Sequence, residues 1–382
     1  MNSGELHAWH YRTRQPVRLV WRSGQIVSID EVAEKPAKDI WIAPPLLDLQ
    51  INGYAGVDFQ QNDLTVEELL HAVRALRRDG CAKFLLTLIT DAWPRMMARL
   101  RHFCGLRQSN LELQGAVLGF HIEGPFLSPK PGFCGAHNPA LMIDPTGAHI
   151  RELKEIVGDI PSLITIAPEW PGSHEAIAEA RQCGFHVNVG HTDAARAQLA
   201  LALSKGASAF THLANGCPQL LDRHDNILWR ALDLDGLWVS LIPDGHHVSP
   251  QFFRIVHRIR GDDIYHTTDA MSAAGAGPGR YRIGKLELEV QADGIVRFPG
   301  GTNFAGSSLT PIAGVFKAAG MLNQSWQQTW QFFSVTPARR MGMENELATG
   351  KPAEFCILEF PDRQNHSLDG VRLETIVAHS ET

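Results

Sequence analysis

The chain lacks an excess of positive charge: 35 Lys and Arg stand against 41 Asp and Glu, for a formal charge of −6 in 382 residues. That balance excludes a polyanion-binding surface, so nucleic acid is not an expected partner. Its six cysteines (Cys81, Cys104, Cys134, Cys183, Cys217 and Cys356) contain no Cys-x-x-Cys pair. A disulfide framework is thereby excluded, and free thiols in a reducing cytosol are the natural reading. No apolar run approaches the roughly 20 residues of a membrane helix. Nor does Met1–His10 show a basic stretch followed by an apolar one, the pattern of a signal peptide. The expectation is a cytoplasmic protein without membrane contact. No Gly-x-Gly-x-x-Gly follows an early strand, which counts against a doubly wound nucleotide-binding sheet.

What is present is ample core. Hydrophobic residues make up 44% of the chain and charged ones 20%, the composition of a globular protein rather than a disordered one. A chain of this length suits one large domain plus a small one. Near the start, Val17–Trp21 and Gln25–Ile29 alternate with period two around Ser23-Gly24, and Gly350–Phe360 and Gly370–Val377 do the same near the end. Such segments read as short antiparallel strands. The two ends, 1–43 and 345–382, are expected to pair into a small β-sandwich domain with 44–344 inserted between them.

The insert alternates apolar runs with amphipathic stretches. Strands are expected at Trp41–Gln50, Cys81–Thr90, Ala116–Ile122, Ser162–Ala167, Phe185–Val189, Ala207–Thr211, Leu237–Ile242 and Asp263–Thr268. The helical stretch after the first opens on a capping-box pattern, Thr65 with Glu68. Eight repeats of this kind match a (β/α)8 TIM barrel, in which functional side chains gather at the C-terminal ends of the strands. A hairpin is expected around Asp293-Gly294, and helices over 308–320 and 326–333.

Four of the expected strands end in polar groups of metal-site chemistry: Glu123, His191, His212 and Asp269. A carboxylate at the end of a buried strand is costly without a positive partner. One carboxylate and two imidazoles also form a three-ligand set that leaves a coordination position open, the arrangement of catalytic rather than structural zinc. The same donors suit iron, cobalt or manganese. Asp269, facing the same mouth, is placed to take and return a proton.

Several short motifs then combine: Asp48-Leu-Gln-Ile-Asn-Gly53, His121-Ile-Glu-Gly-Pro125, His137-Asn-Pro139, Gly190-His191, Thr211-His-Leu213 with Asn215, Asp244-Gly-His-His247, Thr268-Asp-Ala270 and Gly306-Ser-Ser-Leu-Thr310. Over nearly its whole length the chain resembles the amidohydrolase superfamily and, within it, the N-acetylglucosamine-6-phosphate deacetylases. The resemblance implies that Glu123, His191 and His212 hold one divalent metal ion and that Asp269 is the general acid/base. It implies that His137 helps polarise the acetyl carbonyl, and that His247, Asn215 and the backbone of Gly216 hold the sugar phosphate. Arg223 matches an arginine that reaches into the neighbouring subunit's site, which implies a homodimer.

Where many amidohydrolases carry His-x-His for a second metal, this chain has Gln50 and Asn52, poor ligands beside imidazole. A tyrosine common in the family is replaced by Ala214, and Asp225 introduces a negative charge near the presumed phosphate. The last two departures bear on the substrate and leave the metal chemistry untouched. Two rivals follow: a deacetylase of another N-acylated molecule, such as an unphosphorylated sugar, and a catalytically silent sugar-phosphate sensor.

Overall fold

In the computed structural model, which describes residues 3–301 and 304–378, the run Trp41–Gln50 forms two strands rather than one. Proline lacks a backbone N–H, and at Pro44-Pro45 the ladder breaks. Asp39–Ala43 ends there in the small sheet, and Leu46–Ile51 begins the barrel. The proline carbonyls left over are not wasted on solvent: Trp330 Nε1–H donates to Pro44 O at 2.8 Å and the Ser334 hydroxyl to Pro45 O at 2.8 Å.

Eight parallel strands follow in sequence order: Leu46–Ile51, Cys81–Ile89, Val117–Glu123, Ser162–Ile166, His186–Val189, Ala209–Phe210, Trp238–Leu241 and Ile264–His266. Each pairs with the next in parallel register. A bridge between Ile51 and Ala270, with Asn52 N–H donating to Ala270 O at 2.7 Å, brings the two ends of the sheet together as a TIM barrel. Burial on both faces explains why these strands read as continuous apolar runs: all six residues of Leu46–Ile51 and all five of Ser162–Ile166 are buried. In Val117–Glu123 the packing tolerates no side chain at Gly119, where a Cβ would stand 1.7 Å from Pro161 O. Any larger residue there shifts the strand that carries Glu123.

The helices close the outside. Val66–Arg78 starts at the expected capping box, with Thr65 and Glu68 satisfying each other's backbone N–H, and buries Leu69, Ala72, Val73 and Leu76. Pro250–Arg260 and Pro311–Leu322 start at Ser249 and Thr310, whose hydroxyls accept from Phe252 N and Ala313 N. Trp326–Trp330 and Gln331–Phe333 complete the last crossover.

Both chain ends build the second sheet, in the order Arg372–Ile376, Phe355–Phe360, Asp39–Ala43, Gly4–His10, Pro16–Arg22 and Gln25–Glu31. Ala8, Leu19, Trp21, Ile42 and Phe355 form its core. The expected hairpin joins Leu286–Val290 to Val296–Arg297, and a further strand, Gly279–Ile283, completes a three-stranded sheet at the barrel mouth. Among the described residues no helix is long and apolar enough to cross a membrane.

Candidate active site

Glu123 is the last residue of its strand, whereas His191, His212 and Asp269 lie just past the ends of theirs, with φ of +48°, +32° and +50°. Only eight non-glycine residues among those described adopt positive φ, so three of the eight carry site side chains. Each such residue costs roughly 1–3 kcal/mol and persists only where its surroundings hold it. The turn is what aims these side chains inward at the barrel mouth.

The ligand atoms of Glu123, His191 and His212 all lie within 4.8 Å of one another. Glu123 Oε1 is 2.7 Å from His212 Nε2 and 3.4 Å from His191 Nε2, and the two imidazole Nε2 atoms face each other at 3.2 Å. His191 Nδ1 sits 2.9 Å from Phe133 O, a carbonyl that can only accept, so Nδ1 carries the proton and Nε2 offers a lone pair to the cluster. Gly135 and Gly216 press on the same ring: a Cβ at either would stand 2.8 Å and 2.4 Å from it. Burial pushes the Glu123 carboxyl up, but the facing His191 and His212 rings outweigh that and hold it well below the usual carboxylate range. Burial likewise disfavours the charged His212 ring, and Glu123 reverses the balance, raising its pKa. A carboxylate and two imidazole nitrogens converging in a buried pocket fit a divalent cation, with coordination positions left open toward the cavity.

His137 stands beside the cluster, its ring 4.7 Å from that of His191. Its Nδ1 accepts the Thr90 N–H at 3.3 Å, with the Thr90 hydroxyl also 2.9 Å away. Burial, followed by the neighbouring His191, pulls its pKa down to about 3. The ring is therefore neutral with its proton on Nε2, a donor. Asp269 behaves in the opposite sense. Burial and then the Glu123 carboxylate push its carboxyl up to about 7, opposed by His212, His247 and the Asn52 amide, which donates to Asp269 Oδ1 at 2.7 Å. A carboxyl poised near neutrality can both accept and return a proton.

Asn52, Glu123, His137, His191, His212, Asn215, Gly216, His247 and Asp269 line one cavity of about 760 Å³. His247 is fixed by Asp244, whose carboxylate accepts from its Nδ1 at 2.6 Å; burial opposes ionisation of Asp244, but His247 lowers its pKa to about 2. Asn215 turns its amide back onto His212 O at 3.2 Å. Arg223 is the exception: it is exposed and lies outside the cavity lining of its own chain. Asp225, whose charge was expected near the presumed phosphate, pairs with Arg230 at 2.6 Å.

Sequence reasoning missed Thr90 and Phe133, which set the tautomers of His137 and His191, and the partnership of Asn52 with Asp269. It also missed Ile283, Phe298 and Phe304, apolar walls of the cavity. A threonine ending a strand beside the Glu123 strand is the one local signal that pointed toward Thr90.

No family model matches the chain. It is 30% identical over 334 residues to the N-acetylglucosamine-6-phosphate deacetylase of Mus musculus, covering 83% of this chain and 79% of that one. It is also 30% identical over 314 residues to the N-acetylgalactosamine-6-phosphate deacetylase of Escherichia coli O157:H7, covering 82% and 81%. A solved structure of N-acetyl-D-glucosamine-6-phosphate deacetylase from Mycobacterium smegmatis, in complex with N-acetyl-D-glucosamine-6-phosphate, superposes with a TM-score of 0.82 at 28% identity over 90% of this chain and 91% of that one. Together with the strand-end cluster of one glutamate and two histidines, this likeness establishes that the chain belongs to the N-acetylglucosamine-6-phosphate deacetylase family of metal-dependent amidohydrolases.

Proposed function

We propose that the chain hydrolyses the acetamide of N-acetylglucosamine 6-phosphate, or of a close amino-sugar phosphate, to acetate and the free amino-sugar phosphate. The observation that carries this reading is the meeting, in one cavity, of the Glu123, His191 and His212 cluster with a neutral donor, His137, and a carboxyl poised near neutrality, Asp269. Glu123, His191 and His212 hold one divalent cation, zinc by donor type, although iron, cobalt and manganese suit the same set. When bound, such a cation supplies Lewis-acid polarisation of a carbonyl oxygen and makes water acidic enough to be deprotonated near neutral pH.

The chain's own residues do the rest. His137 Nε2–H donates to the acetyl carbonyl oxygen and strengthens that bond as negative charge develops there. Asp269 takes one proton from the attacking water as the new C–O bond forms, then delivers it to the sugar nitrogen as the C–N bond breaks. His247, Asn215 and the Gly216 N–H hold the sugar phosphate. Arg223 completes the phosphate site of the other subunit in a homodimer, and its exposed place outside its own cavity supports that role. The enzyme works in the cytoplasm without membrane or nucleic-acid partners.

Ala214 lines the cavity where the family commonly has tyrosine, and one relative is named for the galacto sugar. Both observations favour testing the epimer as a second substrate. A silent sensor has no use for Asp269. Acetate release measured across N-acetylated gluco, galacto and manno sugars, each with and without 6-phosphate, tests the reading. Fastest turnover on a 6-phosphate is expected, and no acetate from any of them overturns it.

A further inference from the structure

The last barrel strand stops at His266, three residues short of Asp269, and no ladder joins it to Leu46–Ile51, since these two strands stand at opposite ends of the sheet order. Beyond the single Ile51–Ala270 bridge, side chains close this seam. Asp48, 0% exposed, points its carboxylate across it. Its Oδ1 accepts the Gln50 N–H at 3.0 Å and the Thr267 hydroxyl; its Oδ2 accepts the Thr268 N–H at 2.9 Å and the Thr268 hydroxyl at 2.6 Å. Four donors use the roughly four lone-pair sites of an ionised carboxylate. On the far side, the Ser307 hydroxyl donates to Thr268 O at 2.5 Å and the Ser307 N–H to Asp269 O at 2.9 Å. The peptide groups flanking Asp269 are therefore held from both directions while its own φ stays at +50°.

We propose that Asp48 is a positioning residue for the reaction: with Ser307 opposite, it clamps Thr267 and Thr268 across the open seam so that the Asp269 carboxyl faces the Glu123, His191 and His212 cluster. The proposal rests on the reading of Asp269 as proton carrier. Asp48 itself is not among the residues that line the cavity. Asparagine at 48 keeps the volume but turns one acceptor oxygen into an NH2 donor, which then confronts the donors of Thr268 or the hydroxyl of Thr267. The expected consequence is a shift of the Asp269 backbone of a size that costs turnover rather than folding.

Steady-state kinetics on the metal-loaded enzyme should compare Asp48→Asn, Asp269→Asn and the double variant, with circular dichroism and metal content measured on each. Displacement of a catalytic group by about 1 Å is worth on the order of 10²-fold. Asp48→Asn is expected to lose roughly 10- to 100-fold in kcat at nearly unchanged KM, with wild-type metal content. Because both substitutions act through one carboxyl, the double variant should be no slower than Asp269→Asn alone. An unchanged kcat for folded Asp48→Asn, or losses that multiply in the double variant, overturns the clamp. Loss in Asp269→Asn with no loss in Asp48→Asn rejects the clamp and keeps the proton carrier; normal turnover in Asp269→Asn rejects both. If Asp48→Asn fails to fold, Thr268→Val removes one hydroxyl while keeping the backbone N–H, and its unchanged kcat is equally decisive against the clamp.

Discussion

The two ends of the cavity are built in different ways. At the deep end Glu123, His191, His212 and His137 are between 2% and 8% exposed, set at or just beyond strand ends or pinned by a neighbouring strand through Thr90. At the shallow end the segment from Asn215 to Asp225 contains no helix or strand, Arg223 is exposed, and Leu220 is 93% exposed. The deep end is held by the barrel and its geometry belongs to one chain. The shallow end is held by local turns, with the Asp222 carboxylate accepting from His224 N and Asp225 N. The metal-ligand cluster is thereby set by the barrel, whereas Arg223 sits on a surface segment without regular structure.

If the deep end is one unit, removal of a single ligand should undo all of it. Glu123→Ala is expected to reduce bound metal from about one ion per chain to almost none and to cut acetate release by roughly 10³-fold or more. Elemental analysis of both proteins checks this; two ions per wild-type chain, or full occupancy in Glu123→Ala, breaks the picture. Asp269→Asn should be milder, lowering kcat by roughly 10²–10⁴ while metal content stays near wild type. Near-normal turnover would move the proton to another group, with His247 the next to test.

The deep end was also the more legible in sequence, for a physical reason. Strands buried on both faces give unbroken apolar runs, and a histidine or carboxylate ending such a run stands out, which is how Glu123, His191, His212 and Asp269 were found. Trp41–Gln50 misled because Pro44 and Pro45 are apolar too, and apolarity does not say to which sheet a residue belongs. Gly4–His10 went unread because, of its seven residues, only Ala8 is fully buried. Phe133 holds His191 through a backbone carbonyl that every residue possesses, so no composition could mark it. Phe298 and Phe304 come from a hairpin and loop some 90 residues beyond His212 and meet the cavity only through the fold.

The shallow end predicts a different kind of loss. Arg223→Ala should raise KM for the 6-phosphate by tens-fold, on the order of the 2 kcal/mol of a charge-assisted hydrogen bond, with a smaller change in kcat. If the arginine serves the other subunit as proposed, mixing Arg223→Ala with Asp269→Asn chains should restore activity: each heterodimer would hold one site with an intact Asp269 and a donated Arg223. Proven subunit exchange without rescue would refute the shared site. Asp225 is already committed to Arg230, so Asp225→Asn should leave KM close to wild type.

The smallest expected effect returns to the deep end and asks whether its groups are tuned as well as placed. Asn52 lies where other amidohydrolases carry a metal-binding histidine, yet its amide donates to Asp269 Oδ1 at 2.7 Å and so favours the ionised carboxylate against burial and Glu123. A base must be ionised to work, so kcat should fall about tenfold per pH unit once the medium drops below the Asp269 pKa. Asn52→Leu removes the donor at similar volume. The Asp269 pKa then rises further, and the acid limb of the kcat profile should move up by roughly half a unit to one unit, leaving alkaline rates near wild type. Stability carries the same sign. A carboxyl raised in the folded chain from 3.8 to about 7 binds its proton more tightly there than in the unfolded chain, so stability falls as pH rises through that window. In the metal-free protein Asn52→Leu should steepen that fall, seen as a larger drop in melting temperature between about pH 5 and pH 8. An acid limb that stays in place in Asn52→Leu, or that survives unchanged in Asp269→Asn, would show that the titrating group lies elsewhere and that the asparagine merely fills the space of a lost ligand.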